Sequence, residues 1–346
     1  MTNVREGLVS RLRQEKQRVL VDLNEVKAGR ENAIALNDEI KTPDVLIGDG
    51  YDPLHAVYLY AQNFLSVLVE QATEFPELQQ WVDLYVDLEE NYMPVGPPMS
   101  PLSGSYFFCW SSFDLPFGEH RETITQCMIE MARELGVQPD LIETLEVMQK
   151  SRMGFYIHEG SEGDFIRLRE LKTNRQLLCH SSSGYLGRAG EIWYIRLMPP
   201  LVDGYDYHIV FTTPYVIRNV SESGLLDLVD KMIPKMTRRG YPAEYDAFMK
   251  WGPMLKYWNE YLMMGYSNFE HDVVYLTGYP AADPKAEYNS VEDMNSRQYQ
   301  SRDSMDWLSG AMSGTSKPAT KKVVQLADKK KKRKQAKQAR KRSKSK

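Results

Sequence analysis

Basic residues are missing from a long stretch near the N-terminus: no lysine or arginine occurs between Lys41 and Arg121, while twelve Asp and Glu fall in the same interval. A surface built from that segment repels phosphate, so the N-terminal half of the body is expected to repel nucleic acid. Cysteine is nearly as scarce. Cys109, Cys127 and Cys179 are an odd number without CxxC spacing, which excludes a disulfide framework and a cysteine-based zinc site and fits a reducing compartment. No apolar run reaches the ~18 residues that span a bilayer; the nearest, Ala56 to Val69, is broken by Gln62, Asn63 and Ser66. Met1 to Gly7 is polar and charged, unlike a signal peptide. A soluble, cytoplasmic protein is expected, or a nuclear one where the source cell has a nucleus.

Signatures of chemistry are absent as well. His158-Glu159 with Glu162 and Asp164, and His120 between Glu119 and Arg121, lack HExxH spacing, and Asp49, Gly50 and Asp52 fall short of a calcium loop. No metal site and no cofactor are expected. The loop Gly184-Tyr185-Leu186-Gly187-Arg188-Ala189-Gly190 lacks a Gly-Lys-Ser/Thr ending and joins two predicted strands, which makes it a hairpin connection, not a phosphate cradle. Cys179 and His180 are neighbours, but adjacent strand residues point to opposite faces, so they do not pair as nucleophile and base. No catalytic residue is assigned, and no internal repeat occurs.

What the chain does contain is enough apolar material for a core: 346 residues, 42% hydrophobic and 11% aromatic, the makings of one large domain or two smaller ones. Its formal charge of -4 conceals a division. From Lys317 onward fifteen Lys and Arg face the single acid Asp328, a net of +14, which leaves 28 basic and 46 acidic residues in the body, a net of -18.

The expected class is α+β, with a mainly helical region at 1–150, an antiparallel β meander or small barrel with packing helices at 151–279, a polar linker at 280–316 and a disordered polybasic tail at 317–346. Leu12, Val19, Val26, Ala33 and Ile40 recur at seven-residue spacing and predict a long helix from Thr2 to Glu39. Lys16 and Arg30 occupy the second apolar positions a coiled coil requires, so intramolecular packing is the better account. Pro53 and Pro76 open two further helices, and Pro139 a third. Met93 to Gly104 reads as a loop, Ser105 to Asp114 as an aromatic strand, and His120 to Leu135 as a helix closed by Gly136. Five short runs then alternate like strands: Phe155 to His158, Phe165 to Leu171, Gln176 to Ser181, Glu191 to Met198 and Tyr207 to Thr213. Helices resume at Leu225 to Met236, after a Ser221 or Ser223 cap, and at Ala243 to Met264, broken at Gly252-Pro253.

Two segments are candidates for nucleic acid. In the tail, Lys329, Lys330, Lys331, Lys332, Arg333, Lys334, Lys337, Arg340, Lys341 and Arg342 form a dense cationic run with little to bury beyond Val323, Val324 and Leu326. Such a run binds RNA, DNA or a ribosome by counterion release, without sequence preference and with steep salt dependence. The same charge suits an anionic membrane surface or the chain's own acidic body. In the β module, residues 151–200 hold seven basic residues against five acids. Arg167 and Arg169 share one strand face there, with Tyr156, Tyr185 or Tyr194 available for stacking. The leading expectation is a non-catalytic accessory protein that binds nucleic acid or the ribosome through its tail. The alternatives are an intracellular enzyme whose site is assembled from distant residues, or an interaction scaffold using the N-terminal helix or the segment Asp303 to Leu308 around Trp307. Nothing in the sequence fixes an oligomeric state.

Overall fold

The computed structural model describes residues 3–19, 40–92, 101–201, 204–255, 257–258 and 272–276. The second half of the expected N-terminal helix, the linker with Trp307 and the whole polybasic tail lie outside these residues. The fold is α+β.

Helix starts and stops follow local chemistry. The helix α1 (Val4–Val19) buries Leu8 completely and is tied to the body by ion pairs from Arg5 to Glu122, Arg11 to Glu77 (2.7 Å) and Arg13 to Glu134 (2.9 Å). This part of the expected N-terminal helix packs intramolecularly. After the short α2 (Pro43–Gly48), Asp52 caps α3 (Pro53–Ala72) by accepting from the His55 amide at 2.9 Å. The α3 residues Leu54, Tyr58, Ala61, Leu65, Leu68 and Ala72 recur every three or four positions and are buried. A 3-10 turn (Pro76–Leu78) leads into α4 (Gln79–Tyr92). The next helices are α5 (Pro101–Cys109), α6 (Ile124–Leu135) and α7 (Pro139–Lys150). A capping box between Thr123 and Gln126 starts α6, and Gly136, at φ 76°, ends it. His120 sits before this helix, in an exposed turn closed by the Phe117–Glu122 bridge.

The largest departure from expectation lies between these helices. Pro101 to Gly104 opens α5 and is not loop, and Ser105 to Asp114 is not a strand: α5 runs into a single π-turn, Trp110–Asp114, whose five residues are all buried. The aromatic run that suggested a strand is apolar because it is enclosed on every side, and burial raises aromatic content in either conformation.

The β module is a closed barrel. Strands β1 (Met153–Glu162), β2 (Phe165–Glu170), β3 (Gln176–Ser181), β4 (Ile192–Met198) and β5 (His208–Val210) pair in the order β1-β2-β3-β5-β4, and β4 returns to β1. All seams are antiparallel except β3–β5, which is parallel. The Gly184–Gly190 loop is therefore no hairpin, because β3 and β4 are not neighbours; it crosses the barrel end, where Tyr185 stacks on Trp193 and His158 Nε2 meets the Leu186 carbonyl at 2.7 Å. Beyond β4 the sheet continues through β6 (Tyr215–Ile217) to β7 (Val274–Leu276). Ser221 caps α8 (Glu222–Met232), which passes through a 3-10 segment (Ile233–Arg239) to α9 (Tyr245–Trp251), stopped at Gly252.

Strand alternation divides the interior into two cores. Tyr156, Ile166, Leu168, Cys179, Trp193, Ile195 and Val210 fill the barrel, whereas Phe155, Ile157, Ile192, Tyr194 and Met198 point outward into one core shared with the helices. Each such side chain, fully buried, contributes about 1.5–3 kcal/mol. β4 is buried along its whole length, and it carries a charge. Arg196, fully buried on the helix-facing side, forms an ion pair with Asp114 at the end of the π-turn. Its Nη1 donates to the Ser151 carbonyl at 2.8 Å. Lys250 on α9 completes the cluster, donating to Asp114 Oδ1 (3.0 Å) and to the carbonyls of Gln149 (2.6 Å) and Ser151 (2.8 Å). Burial pushes the Lys250 ammonium down to about 8, against the opposing pull of Asp114.

Replacing Asp114 alone strands two buried cations, Arg196 and Lys250. Asp114→Leu is expected to lower unfolding free energy by about 3–5 kcal/mol in urea titrations, and the triple variant Asp114→Leu/Arg196→Met/Lys250→Met to recover most of that loss. Equal losses in the single and triple variants would show that packing, not charge, sets the cost.

Candidate functional site

On the outer face of β2 and β3 polar and aromatic side chains meet the surface in register. Antiparallel pairing sets Phe165 opposite His180, Arg167 opposite Leu178 and Arg169 opposite Gln176. Arg167 and Arg169 share this face, as their spacing requires, and both meet carboxylates. Arg167 pairs with Glu162 at 2.5 Å; Arg169 lies between Glu159 (2.8 Å) and Glu222 (3.1 Å). Hydrogen bonds to Glu222 and Glu159 raise the Arg169 pKa against the smaller lowering effect of burial. The face is thus a lattice of compensated charge.

The other basic residues of the module are distributed by role. Arg152 joins Glu170 (2.8 Å) and Asp246 (2.6 Å) while lying over the Tyr245 ring, Arg196 is internal, and Lys172 binds Asp230 at 2.5 Å. Arg175 and Arg188 are exposed. The three tyrosines expected to offer stacking surfaces are elsewhere. Tyr156 lies in the barrel, Tyr194 in the helix-facing core and Tyr185 on the end loop, held by Glu191 at 3.0 Å. The ring that does share the arginine face is Phe165, and its neighbour Tyr207 follows 5.0 Å away.

Around Phe165 a cluster forms that local spacing does not reveal. Tyr207 donates to Asp52 Oδ2 at 2.6 Å, and the His180 ring lies 6.2 Å from Phe165 and 6.5 Å from Tyr207. His55, in the first turn of α3, has its ring 5.6 Å from that of Tyr51 and tilted by 56° to it. Burial, helped by the nearby His180 and opposed by Asp52, pushes His55 down to about 4. Residues 51, 55, 165, 180 and 207 come from α3, two strands and two loops, so only the fold brings them together. The solitary histidines had no partner at motif distance in the sequence.

The remaining candidates separate. Cys179 is sealed in the barrel, where burial raises its thiol, while His180 faces outward, so the two do not pair. His158 accepts from the Gly160 amide at Nδ1 (3.1 Å), which leaves Nε2 to donate to Leu186. His208 is half-buried on β5, and burial lowers its pKa. His120, His158, His180 and His208 thus occupy four different environments. Among the described residues no group of three or more His, Cys, Asp and Glu is placed to hold a metal, and no helix is long and apolar enough to cross a membrane. The tail cations from Lys329 to Arg342 lie outside the described residues.

No family model, no curated protein and no solved structure matches this chain.

The His55 environment makes a pH-dependent contribution to stability. An unfolded histidine titrates near 6.5 and the folded one near 4, so between these values the unfolded chain holds a proton that the folded chain does not. Stability falls as pH drops through that window, by about 3 kcal/mol in full. His55→Phe is expected to flatten the urea-derived stability profile between these pH values; an unchanged slope would assign the dependence to other groups.

Proposed function

We propose that the protein is a non-catalytic accessory protein that binds RNA, free or within a ribosome, through the basic segment Lys317–Lys346. The carrying observation is the division of charge, -18 in the body against +14 in the tail. Binding by counterion release needs closely spaced cations and no particular fold, and the run from Lys329 to Lys334 supplies them. The packing of the body supports the same reading. Side chains fill the barrel, His120, His158 and His208 stay apart, and Arg167 and Arg169 are compensated by Glu162, Glu159 and Glu222.

A second reading is favoured by the barrel itself. Five-stranded Greek-key barrels of the OB type carry oligonucleotides across strands 2 and 3, and here that face presents Phe165, His180, Arg167 and Arg169. This is an analogy of architecture, which does not by itself imply function. Its weakness is electrostatic, since each arginine would have to exchange a carboxylate for a phosphate.

Fluorescence anisotropy with single-stranded RNA separates the readings. The full chain is expected to lose roughly a thousandfold or more in affinity between about 50 and about 200 mM salt, and a chain ending at Ser316 to bind no RNA. Binding kept by the shortened chain and removed by Arg167→Glu/Arg169→Glu would move the site to the barrel. A full chain that binds no RNA at low salt ends both readings.

A further inference from the structure

A groove of about 600 Å³ runs between α2, α3 and α7. Val57, Tyr60, Leu141 and Leu201 line it with apolar surface, and Asp140 and Glu143 are exposed at its edge. Pro43, at the start of α2, also lines it, and the same six-residue helix leaves Val45 and Ile47 49% and 41% exposed. No lining residue is basic. Asp44, Asp140 and Glu143 make no ion pair among the described residues, in contrast to the compensated acids of the barrel face.

An occupant of this groove has to be apolar at its centre and cationic at its ends. We infer that it is the chain's own segment Lys321 to Lys334, with Val323, Val324 and Leu326 on the apolar floor and the flanking lysines against Asp44, Asp140 and Glu143. These are the large aliphatic residues of an otherwise polar tail, and they stand between Lys321-Lys322 and the run from Lys329 to Lys334. Charge argues against the rival occupants. Residues 20–39 hold five acids against Lys27 and Arg30, and a second copy of the body brings 46 acids against 28 bases. A polyanion would meet carboxylates of its own sign.

Reach is no obstacle. Forty-four residues separate Leu276, the last described, from Lys321, enough to span up to about 145 Å extended. Tethering raises the local concentration of the segment to about millimolar, so weak contacts suffice to populate the docked form. Docking and polyanion binding compete for the same lysines. The inference therefore rests on the proposed function for its regulatory meaning, a tail held on the body until RNA displaces it, and not for the contact itself.

Carbodiimide coupling of the full chain tests the contact without RNA, because it joins a lysine amine to a carboxylate only where the two touch. Peptide mapping is expected to find Lys321, Lys322 and Lys329 to Lys334 joined mainly to Asp44, Asp140 and Glu143. Replacing Val323, Val324 and Leu326 together by serine, which leaves every charge in place, should reduce those products at least about tenfold, equivalent to about 1.4 kcal/mol. Products spread evenly over the acids of the body, or unaffected by the serine replacements, would overturn the inference in favour of diffuse attraction. Products joining labelled to unlabelled chains in a mixed sample would overturn it in favour of a second copy. Absence of any tail product would end it. Mapped products in a chain that binds no RNA would retain the docking and remove the proposed function.

Discussion

The contact between Arg196 and Asp114 decides how the two halves of this molecule meet. Arg196 belongs to β4, a strand buried along its whole length, and Asp114 ends a π-turn buried just as deeply. Removing either charge from water costs several kcal/mol, so neither residue tolerates this environment without the other. Lys250 adds a third element, α9, and the Ser151 carbonyl accepts from both cations at the point where α7 gives way to β1. An alternative packing of helices against barrel would leave at least one of these groups unpaired. The apolar contacts around them, such as Tyr106 against Tyr194 and Tyr215, are less directional and would accept several arrangements. Charge thus selects among packings that hydrophobic burial alone would leave close in energy.

The same strand explains why the barrel is closed. A residue on β4 that points inward, such as Trp193, meets side chains of the other strands; its neighbour Tyr194 meets the helices. Both faces are therefore apolar, and β4 has no solvated side. With β1 on one edge and β5 and β6 along the other, its backbone groups are paired in the sheet. Gly187 allows the end loop to lie flat over this interior. Its φ is +65°, and a Cβ there would stand 2.3 Å from the Trp193 ring, so the residue is required by close approach as well as by conformation.

How far this was legible in the sequence depended on whether the deciding signal was local. Thr123, Gln126 and Gly136 bracket α6 by chemistry confined to one helix, and the period-two runs from Phe155 to Thr213 mark five strands. Closure of the barrel was open, because β1–β4 and β3–β5 pairing is non-local and leaves no trace in spacing. Ser105 to Asp114 misled for a related reason: with core on all sides, its composition records burial and carries no period. Arg196 did leave a signal, a single cation within an otherwise apolar strand, but its partners Asp114 and Ser151 lie 82 and 45 positions away. The arginine face on β2 was legible as a shared face. Its compensation by Glu159 and Glu222 was not, since Glu222 belongs to another helix.

Charge also relates the body to the residues that follow it. A body carrying -18 repels any polyanion that the basic tail could attract, and the two effects oppose each other wherever they act over the same distance. At physiological ionic strength repulsion decays over about 8 Å, and forty residues, 277 to 316, stand between the described body and Lys317. Under the proposed function that number of residues, and not any single one of them, is what lets one chain hold both a surface that repels RNA and a segment that attracts it.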